Sequence, residues 1–403
     1  MIDLADVEAA RNRVAETARH TPLEQSHTFS EMTGADVHLK LETFQRTGAF
    51  KIRGATNRIA TLGEGNREAG VVTASAGNHA QGVALAASRM GVDATVVMPE
   101  DAPIAKVDAT RSYGAEVELH GVDYDEAERR AHEIEREEDR YYLHAFDDPM
   151  VMAGQGTIGL EIVEELPEVD TVVVPIGGGG LISGIATAIK GHEPDARVVG
   201  VQAAGASSAA ESLASGERVV LDGVDTIADG IATRSVGERP FEVIRKRVDE
   251  VVAVTDDEIA VALALLLERS KTLVEGAGAV PLAALLSEAF EYEAGETVVP
   301  TLCGGNIDLN TLTTVLVRGL VRTGRYLRLR TVLEDRPGAL EELTALISAH
   351  RANIYAIQHD RTSRDVAMND AEVELDLETR GEDHVDRLVA ALKDHGYDVD
   401  VLV

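Results

Sequence analysis

The feature that most constrains the fold is a regular alternation of short apolar runs with longer amphipathic segments. The predicted strands between about residues 35 and 145 are Val37–Leu41, Gly70–Thr73, Ala94–Met98 and Val117–Leu119. The predicted helices around them are Phe50–Leu62, Asn78–Met90, Ile104–Tyr113 and Tyr124–Glu138. Strands joined by helices of this length form right-handed crossover units on a largely parallel sheet. An α/β sheet of this kind binds its ligands beyond the carboxyl ends of its strands.

A second stretch of the same kind begins at Pro149, since proline is preferred at the start of a helix. Its further predicted elements are the strand Thr171–Ile176, a helix closing at Gly191, the strand Arg197–Gln202, a helix from the capping-box residue Thr255 to about Arg269, and the strand Thr297–Leu302. The α/β pattern therefore continues to about residue 302.

The pattern changes near Thr323-Gly324. The predicted strands beyond this point are Tyr326–Leu333, Asn353–His359, Ala371–Leu377 and Tyr397–Val403, and the predicted helices are Gly338–His350 and His384–His395. The order β-α-β-β-α-β is that of the ferredoxin-like fold. We therefore expect a separate C-terminal domain at 328–403, after a first domain at 1–322.

The formal net charge of −32 excludes some classes of partner. A field of this sign repels nucleic acid and anionic membranes, so neither is expected to bind. The acidic residues are spread along the chain, as in Glu133–Asp139, rather than gathered in a tail. Because molar salt shortens the Debye length to about 3 Å, this pattern suits a halophilic, salt-rich cytoplasm. An acidic protein of an ordinary cytoplasm is the alternative.

Nothing in the sequence indicates export. No apolar run approaches the ~18 residues of a membrane span, and the start Met1-Ile2-Asp3-Leu4 lacks the basic region of a signal peptide. The single cysteine, Cys303, excludes an internal disulfide framework. We therefore expect a cytoplasmic protein.

Lys51, within the stretch Thr47–Ala55, is the first candidate for chemistry. A lysine amine becomes a nucleophile when it is shielded from water, and it can then form a Schiff base with an aldehyde. On its own, a lysine on the first turn of a helix is an ordinary surface residue. The assignment therefore depends on the other motifs.

Four glycines, Gly177–Gly180, stand between an apolar strand and a helix. Backbone N–H groups in such a loop can close on an anion, and the helix N-terminus adds about half a positive charge. The loop therefore suits a phosphate. No Lys-Ser/Thr follows as in a Walker motif, and the dinucleotide spacing G-x-G-x-x-G is absent. A tight packing turn is the structural alternative.

A third loop of small residues, Ser75-Ala76-Gly77-Asn78-His79, also follows a strand and opens a helix. Its amides can hold a substrate carboxylate, and Asn78 can hydrogen-bond a ring hydroxyl as donor or as acceptor. His79 is left out of the catalytic set, because a lone histidine in such a turn is more often a packed residue than a base.

Cys303 follows a predicted core strand. It is either a small buried hydrophobe or, if it faces a pyridine nitrogen, a neutral S–H partner. A thiol of ordinary pKa about 8.5 leaves the ring a weaker electron sink than a carboxylate would. That favours prompt loss of a β-leaving group.

These stretches, in this order, resemble the fold-type II pyridoxal-phosphate enzymes, and most closely the threonine ammonia-lyases. The resemblance covers about residues 5–322 and includes Ala153–Thr157 and Gly304–Leu309. It implies an α/β catalytic region of two parallel-sheet subdomains with pyridoxal 5'-phosphate as cofactor. The cofactor-binding residues that it implies are Phe50, Lys51 as the Schiff-base lysine, Asn78 at the ring hydroxyl, Gly177, Gly178, Gly179, Gly180 and Leu181 at the phosphate, and Cys303 at the pyridine nitrogen. The implied substrate-binding residues are Ser75, Ala76, Gly77, Asn78 and His79.

The C-terminal segment, with Asp335–Leu340 between strand and helix, resembles an ACT domain, a regulatory module that pairs and binds amino acids. The effector-binding residues that this implies are Asp335, Pro337, Gly338, Ala339 and Leu340, with Asn353 and Ile354 from the next strand. A homo-oligomer, dimer or tetramer, and a branched-chain amino-acid effector are then expected, with isoleucine as the first candidate.

The resemblance implies conversion of L-threonine to 2-oxobutanoate and ammonia, in isoleucine biosynthesis, with Lys51 as the base that takes the Cα proton. A serine racemase or serine dehydratase on the same scaffold is one alternative, and a non-catalytic amino-acid sensor is another. Ala76 stands where the racemases have a serine. Gly205 replaces a carboxylate of their divalent-metal site, leaving Ala209 and Glu211, so no metal is expected.

Lys40 is the only close competitor of Lys51 as the cofactor lysine. It lies in the alternating sequence Val37–Leu41, from which we expect its side chain to point to solvent.

Overall fold

The computed structural model describes residues 1–362 and 366–403, which divide into two units, Met1–Asp308 and Leu309–Val403. Its helices are α1 Leu4–Val14, α2 His27–Thr33, α3 Lys51–Ala60, α4 Glu64–Ala69, α5 Asn78–Met90, α6 Ile104–Ser112, α7 Tyr124–Glu138, α8 Pro149–Glu165, α9 Gly180–His192, α10 Ser208–Ser215, α11 Glu238–Arg247, α12 Asp256–Leu265, α13 Gly276–Leu286, α14 Leu309–Arg322, α15 Ala339–Ala349 and α16 Glu382–Asp394. Within the described ranges, no helix is long and apolar enough to cross a membrane.

The strands are β1 Leu23–Gln25, β2 Asp36–Leu41, β3 Val71–Ala74, β4 Ala94–Met98, β5 Glu116–Leu119, β6 Tyr141–Tyr142, β7 Thr171–Pro175, β8 Arg197–Ala203, β9 Glu250–Val254, β10 Thr297–Leu302, β11 Tyr326–Glu334, β12 Asn353–Asp360, β13 Asp370–Glu378 and β14 Val399–Val401. Short 3-10 turns lie at Glu42–Phe44, Ala204–Ala206 and Asp229–Ile231.

The first unit, all of which the structure describes, contains two sheets. The larger has the order β1-β2-β10-β7-β8-β9 and is parallel except for β1, which pairs antiparallel with β2. The smaller has the order β5-β4-β3-β6 and is parallel throughout. Two parallel-sheet α/β subdomains were predicted from the sequence, and that prediction is confirmed.

Glycines set how closely the helices beneath the site approach one another. A Cβ at Gly82 of α5 would lie 2.9 Å from the backbone N of Ile52 in α3. A Cβ at Gly154 of α8 would lie 2.6 Å from the carbonyl oxygen of Arg53. Real Cβ atoms do not approach so closely, so these positions need glycine. The motif Ala153–Thr157 therefore holds α3, which begins at Lys51, against α8.

The prediction that Lys40 points to solvent is wrong. Its side chain is 0% exposed, and its Nζ lies 2.6 Å from the carbonyl oxygen of Thr21 and 2.7 Å from Oε2 of Glu161. The alternation argument fails because β2 lies inside the sheet between β1 and β10, and because α8 supplies Glu161 at this position. Lys40 is therefore a buried structural cation.

Arg53 belongs to the same buried ion cluster. Its Nη2 lies 2.7 Å from Oε1 of Glu42, and its Nη1 lies 2.6 Å from Oε1 of Glu161. Arg53 is two residues after Lys51, and its side chain is 1% exposed. Glu165 also lies 3.6 Å from Lys40 Nζ, so two buried cations face three carboxylates, and the cluster ties the first turn of α3 to α8.

Several element boundaries differ from the predictions. The helix predicted from Thr255 to about Arg269 ends as α12 at Leu265 and continues as a π-helical turn, Leu266–Ser270. The last strand is shorter than predicted, at Val399–Val401. The elements for which no prediction was made include α1, α2, α4, α10, α11, α13 and α14. Pro281 inside α13 explains one of these omissions, since proline normally argues against a helix interior.

The second unit begins with α14 and continues in the order β-α-β-β-α-β, as predicted for a ferredoxin-like domain. Its sheet has the order β12-β13-β11-β14 and is antiparallel between neighbours. Leu343 and Ile347 of α15 and Leu388 and Leu392 of α16 are fully buried in its core. The units divide before α14, whereas the predicted limits of 1–322 and 328–403 place that helix in the first domain. Those limits stay a prediction.

Candidate active site

The predicted motifs of the first unit all follow the carboxyl ends of parallel strands. β3 leads into Ser75–Gly77 and then α5, which begins at Asn78. β7 leads into the glycine loop and then α9, which begins at Gly180. β10 leads directly to Cys303. This is the edge at which an α/β sheet presents its ligand-binding loops.

Lys51 reaches this edge through a backbone contact. Ala49 pairs with Gly304 in an isolated antiparallel bridge, and Phe50 N–H donates to the carbonyl of Cys303 at 3.1 Å. Gly48 has a φ of +70°, and a Cβ there would overlap the side chain of Asn306. The turn therefore requires glycine. It places the start of α3 beside the end of β10.

Within the described residues, the Lys51 amine makes one hydrogen bond. Its Nζ donates to the carbonyl oxygen of Ala145 at 3.0 Å and lies 5.3 Å from the ring centre of Phe50. Burial lowers the pKa of the amine from 10.5 to about 8, against the opposing effects of Cys303 and Glu275. A large fraction of the amine is therefore neutral near pH 8, as a nucleophile or base requires.

Cys303 lies at the end of β10 and is 3% exposed. Its Sγ–H donates weakly to the carbonyl oxygen of Ala277 at 3.5 Å. Burial raises the pKa of the thiol well above its ordinary range, and the charge of Glu275 adds to this effect. The side chain is therefore a neutral thiol in the site.

The glycine loop has features of both structures considered for it, a tight packing turn and a phosphate-binding loop. A Cβ at Gly178 or Gly180 would overlap or crowd Phe146, and one at Gly177 would lie 2.9 Å from Cα of Ile231. The loop is therefore a tight packing turn.

The same loop also offers free donors at the start of α9. Hydrogen bonds within the described residues use the carbonyls of Gly178 and Gly179, but none uses the N–H groups of Gly178, Gly179 or Gly180. Unused N–H groups at a helix N-terminus suit an anion. Leu181 follows on the first turn of α9 and is buried.

In the loop Ser75–His79, Gly77 N–H donates to Oγ of Ser75 at 3.1 Å. The His79 ring is 3% exposed, and its Nε2 lies 3.1 Å from the carbonyl oxygen of Leu143. Burial lowers the pKa of His79 to about 3, so the imidazole is neutral. The ring is therefore a packed, neutral side chain.

Asn78 has both ends of its amide engaged. Its Nδ2 donates to Oε1 of Glu275 at 2.7 Å, and its Oδ1 accepts from Nδ2 of Asn306 at 2.8 Å. The second N–H of Nδ2 has no partner among these bonds. The amide is therefore held in one orientation.

Glu275 is the residue of this site that the sequence argument missed. Burial raises the pKa of its carboxyl from 4.5 to about 7, while the hydrogen bond from Asn78 opposes that shift. The only sequence signal is a carboxylate directly before the small-residue run Gly276-Ala277-Gly278. An isolated acid before glycine has no periodicity or spacing that would distinguish it.

The donor set fits pyridoxal phosphate. An aldehyde needs a neutral amine, which Lys51 supplies, and a phosphate needs backbone donors, which the glycine loop supplies. The ring oxygen needs a donor or acceptor such as Asn78, and the ring nitrogen can accept from a neutral thiol such as Cys303. All four groups come from the carboxyl edges of the two sheets or the turns beside them.

The predicted effector residues fall into two separate groups. Gly338, with a φ of +96°, caps α15 directly after Pro337, with Ala339 and Leu340 on its first turn. Asp335 Oδ2 pairs with Nε of Arg361 at 2.8 Å.

Asn353 and Ile354 begin β12 and pair with the end of β13. The same end of β13 pairs with the start of β11, so Asn353 and Ile354 lie level with the start of β11. The Asp335–Leu340 loop instead follows the end of β11. Eight residues of strand, roughly 27 Å, separate the two ends. One copy of the chain therefore does not bring the two groups together.

Similarity to known proteins covers most of the chain. The sequence profile of the pyridoxal-phosphate dependent enzyme family matches residues 14–304, and that of the ACT domain matches residues 325–396. An L-threonine ammonia-lyase of Geobacter sulfurreducens is 50% identical over 402 residues, which cover 100% of both chains.

Among solved structures, the processed threonine deaminase isoform 2 of Solanum lycopersicum has a TM-score of 0.76 and 40% identity, covering 78% of this chain and 92% of that chain. Maize serine racemase has a TM-score of 0.75 and 37% identity, covering 79% of this chain and 98% of that chain.

Proposed function

The chain belongs to the family of pyridoxal-phosphate-dependent enzymes, and from this premise we propose that it is a lyase that converts L-threonine to 2-oxobutanoate and ammonia. The observation that carries the proposal is the position of the Lys51 amine. It is held on a carbonyl beside Cys303 and has a pKa lowered to about 8. Similarity over the full length to an L-threonine ammonia-lyase supports the choice of substrate.

We assign cofactor binding to the residues predicted from the sequence, namely Phe50, Lys51, Asn78, Gly177–Gly180, Leu181 and Cys303. When bound, the cofactor supplies a covalent attachment for the substrate amine and an electron sink for its Cα–H bond. The N–H groups of the glycine loop hold the phosphate. The Cys303 thiol stays neutral, so it offers the ring nitrogen a hydrogen bond without a negative charge.

Lys51 carries the proton transfer. Its amine accepts the Cα proton at Nζ, and its lowered pKa leaves far more of the amine neutral between pH 7 and pH 8 than an ordinary lysine would have. The loop Ser75–His79 orients the substrate carboxylate through the backbone N–H groups of Ala76, Asn78 and His79, because those of Ser75 and Gly77 are already bonded within the protein. The Cα proton taken up by Lys51 and the departing β-hydroxide together make one water, and the released enamine takes up water in solvent to give 2-oxobutanoate and ammonia without a further protein group.

We propose residues 1–322 as the catalytic domain and 328–403 as a regulatory ACT domain that binds a branched-chain amino acid, isoleucine first. The effector residues Asp335–Leu340 and Asn353–Ile354 lie at opposite ends of the sheet in one chain. A pocket that uses both groups therefore needs a second copy, which supports a homo-oligomer. Feedback by isoleucine would fit a role in isoleucine biosynthesis.

A serine racemase is the second candidate, because maize serine racemase has a similar structure. Two positions argue against it. Ala76 has no hydroxyl with which to return a proton to the second face of the substrate. At position 205 a Cβ would overlap the carbonyl oxygen of Asp225, so this backbone accepts only glycine and no carboxylate ligand.

The deciding experiment supplies the holoprotein with L-threonine and with L-serine, and measures oxo-acid release and D-serine formation separately. We expect 2-oxobutanoate from L-threonine, and D-serine formation much slower than ammonia release. D-serine formed as fast as ammonia would favour the racemase. Absence of both turnover and the visible absorbance of bound cofactor would favour a non-catalytic amino-acid sensor.

A further inference from the structure

Glu275 lies in the site without a role in the reaction described above. It directly precedes α13, and its backbone N–H donates to the carbonyl of Gly304 at 3.0 Å. A Cβ at Gly304 would overlap the Glu275 carboxylate, so glycine at 304 makes the space for it. Glu275 is therefore hydrogen-bonded to the turn that follows Cys303, and its carboxylate packs against that turn.

The hydrogen bonds of Asn78 show what this carboxylate does. An asparagine side chain has two N–H donors and one carbonyl. Glu275 accepts one of the donors, and Asn306 donates to the carbonyl. Asn306 Nδ2 also donates to the carbonyl of Thr47 at 2.7 Å, so it cannot turn round to accept instead. Asn78 therefore has an N–H left for a ligand, while its carbonyl already accepts.

We propose that Glu275 is a positioning residue for the cofactor ring: it holds the Asn78 amide so that Asn78 meets the ring oxygen as a hydrogen-bond donor. A donor stabilises the ring oxygen as an anion, whereas a reversed amide would present an acceptor and favour the protonated oxygen. The inference rests on the proposed function, since it concerns the same cofactor.

The charges around Glu275 make this arrangement depend on pH. Asp229, in the 3-10 turn before α11, raises the pKa of the carboxyl, and Lys106 of α6 lowers it. The Asn78 amide and the backbone N–H of Asn306 also lower it. Lys51 and Cys303 face the same carboxyl from α3 and from the end of β10.

Burial outweighs these opposing effects, and the pKa of Glu275 is about 7. Below that pH the side chain becomes a neutral acid and a weaker acceptor for Asn78. The wild-type enzyme should therefore show a titration near pH 7 in the spectrum of its bound cofactor and in kcat/KM.

The test compares Glu275→Gln with wild type, using holoprotein saturated with pyridoxal phosphate between pH 5.5 and 8.5. Glutamine keeps the volume and one acceptor but removes the charge, so it holds the Asn78 amide with a weaker hydrogen bond. We expect the cofactor spectrum of the variant to lose its titration near pH 7. We expect kcat to fall about tenfold with little change in KM, as for loss of one hydrogen bond to a charged group.

Glu217→Gln is the matched control, because Glu217 is exposed and lies far along the chain from the site residues. It should leave the spectrum, its pH dependence and kcat unchanged. A Glu275→Gln variant that keeps the wild-type titration and wild-type kcat would overturn the inference.

The affinity of the apoprotein for pyridoxal phosphate gives a readout that needs no turnover. We expect it to be weaker in Glu275→Gln than in wild type and in the Glu217 control. A wild-type protein that binds no cofactor and does not turn over L-threonine would defeat the proposed function itself. If the wild type is fully active and Glu275→Gln has the same cofactor affinity, spectrum and kcat, this inference is wrong while the proposed function stands.

Discussion

At the scale of single residues, the reactivity of Lys51 comes from its surroundings and not from its sequence neighbours. Lys40 is fully buried and Lys51 is partly buried, and they differ in what faces them. Lys40 Nζ lies 2.7 Å from the Glu161 carboxylate and forms an ion pair with it. Within the described part of the chain, Lys51 Nζ is bonded to the carbonyl of Ala145 and to no carboxylate, and burial lowers its pKa to about 8. A buried lysine without a paired carboxylate is the better nucleophile.

Lys51→Ala should therefore abolish covalent attachment of the cofactor and lower turnover of L-threonine below detection. Borohydride reduction of the wild-type holoprotein, followed by peptide mapping, should place the label on Lys51. Label on Lys40 would contradict the assignment. Lys271→Ala, an exposed lysine whose Nζ contacts only a local carbonyl, is the control and should keep full activity.

At the scale of elements, the approach of α9 to the end of β7 depends on glycine. Phe146 and Pro240 close around the loop so tightly that side chains at Gly178 and Gly179 would collide with them. The packing that excludes side chains is also what brings the N–H groups of the loop to one place. The same loop can therefore serve packing and phosphate binding together.

Gly178→Ala should weaken binding of pyridoxal phosphate by about tenfold or more, because overpacking costs ~1–3 kcal/mol and would displace the loop. Titration of the apoprotein with the cofactor measures this. Gly63→Ala is the matched control, since a Cβ at Gly63 meets nothing within 4 Å and its φ of −64° suits alanine. Equal cofactor affinity in the two variants would show that the loop tolerates a side chain.

At the scale of the whole molecule, we expect the two units to carry separable tasks. Ending the chain after Gly324 should leave an active enzyme that no longer responds to isoleucine. The full-length enzyme should respond to millimolar isoleucine with a shift in its L-threonine saturation curve. Coupling of this kind is typically ~1–3 kcal/mol, or about 5–150-fold in affinity. If the full-length protein gives the same L-threonine saturation curve with and without isoleucine or valine, the ACT domain serves only to associate copies of the chain.

The net charge of −32 also belongs to this scale. Self-repulsion among so many carboxylates weakens as salt screens them, since the Debye length falls from about 10 Å at 0.1 M to about 3 Å at 1 M. If the charge is a salt adaptation, Tm should rise as KCl increases from about 0.1 M to about 1 M. Sorbitol at equal osmolality is the uncharged control. A Tm that stays flat or falls with KCl would favour an acidic protein of an ordinary cytoplasm.

Local sequence patterns were enough to predict many of the strands and helices of this protein. Strands such as Ala94–Met98 and helices such as Asn78–Met90 have the predicted bounds, because a short apolar run between turn residues marks a buried strand and the 3.6-residue period of a helix is visible within a few turns. The candidate motifs at Lys51, Asn78, Gly177–Gly180 and Cys303 were also found from the sequence. Each lies at a junction of strand, turn and helix, which small residues mark.

Contacts between distant segments decided the rest. Lys40 is buried because Glu161, 121 positions away along the chain, faces it from α8. Glu275 became part of the site because the turn after β10 folds it against Asn78, which is 197 positions away. The charge state and orientation of a side chain depend on such partners, and no local period records them. The sequence by itself therefore determined the elements and the motifs, whereas only the tertiary structure decided which amine is free and which carboxylate orients Asn78.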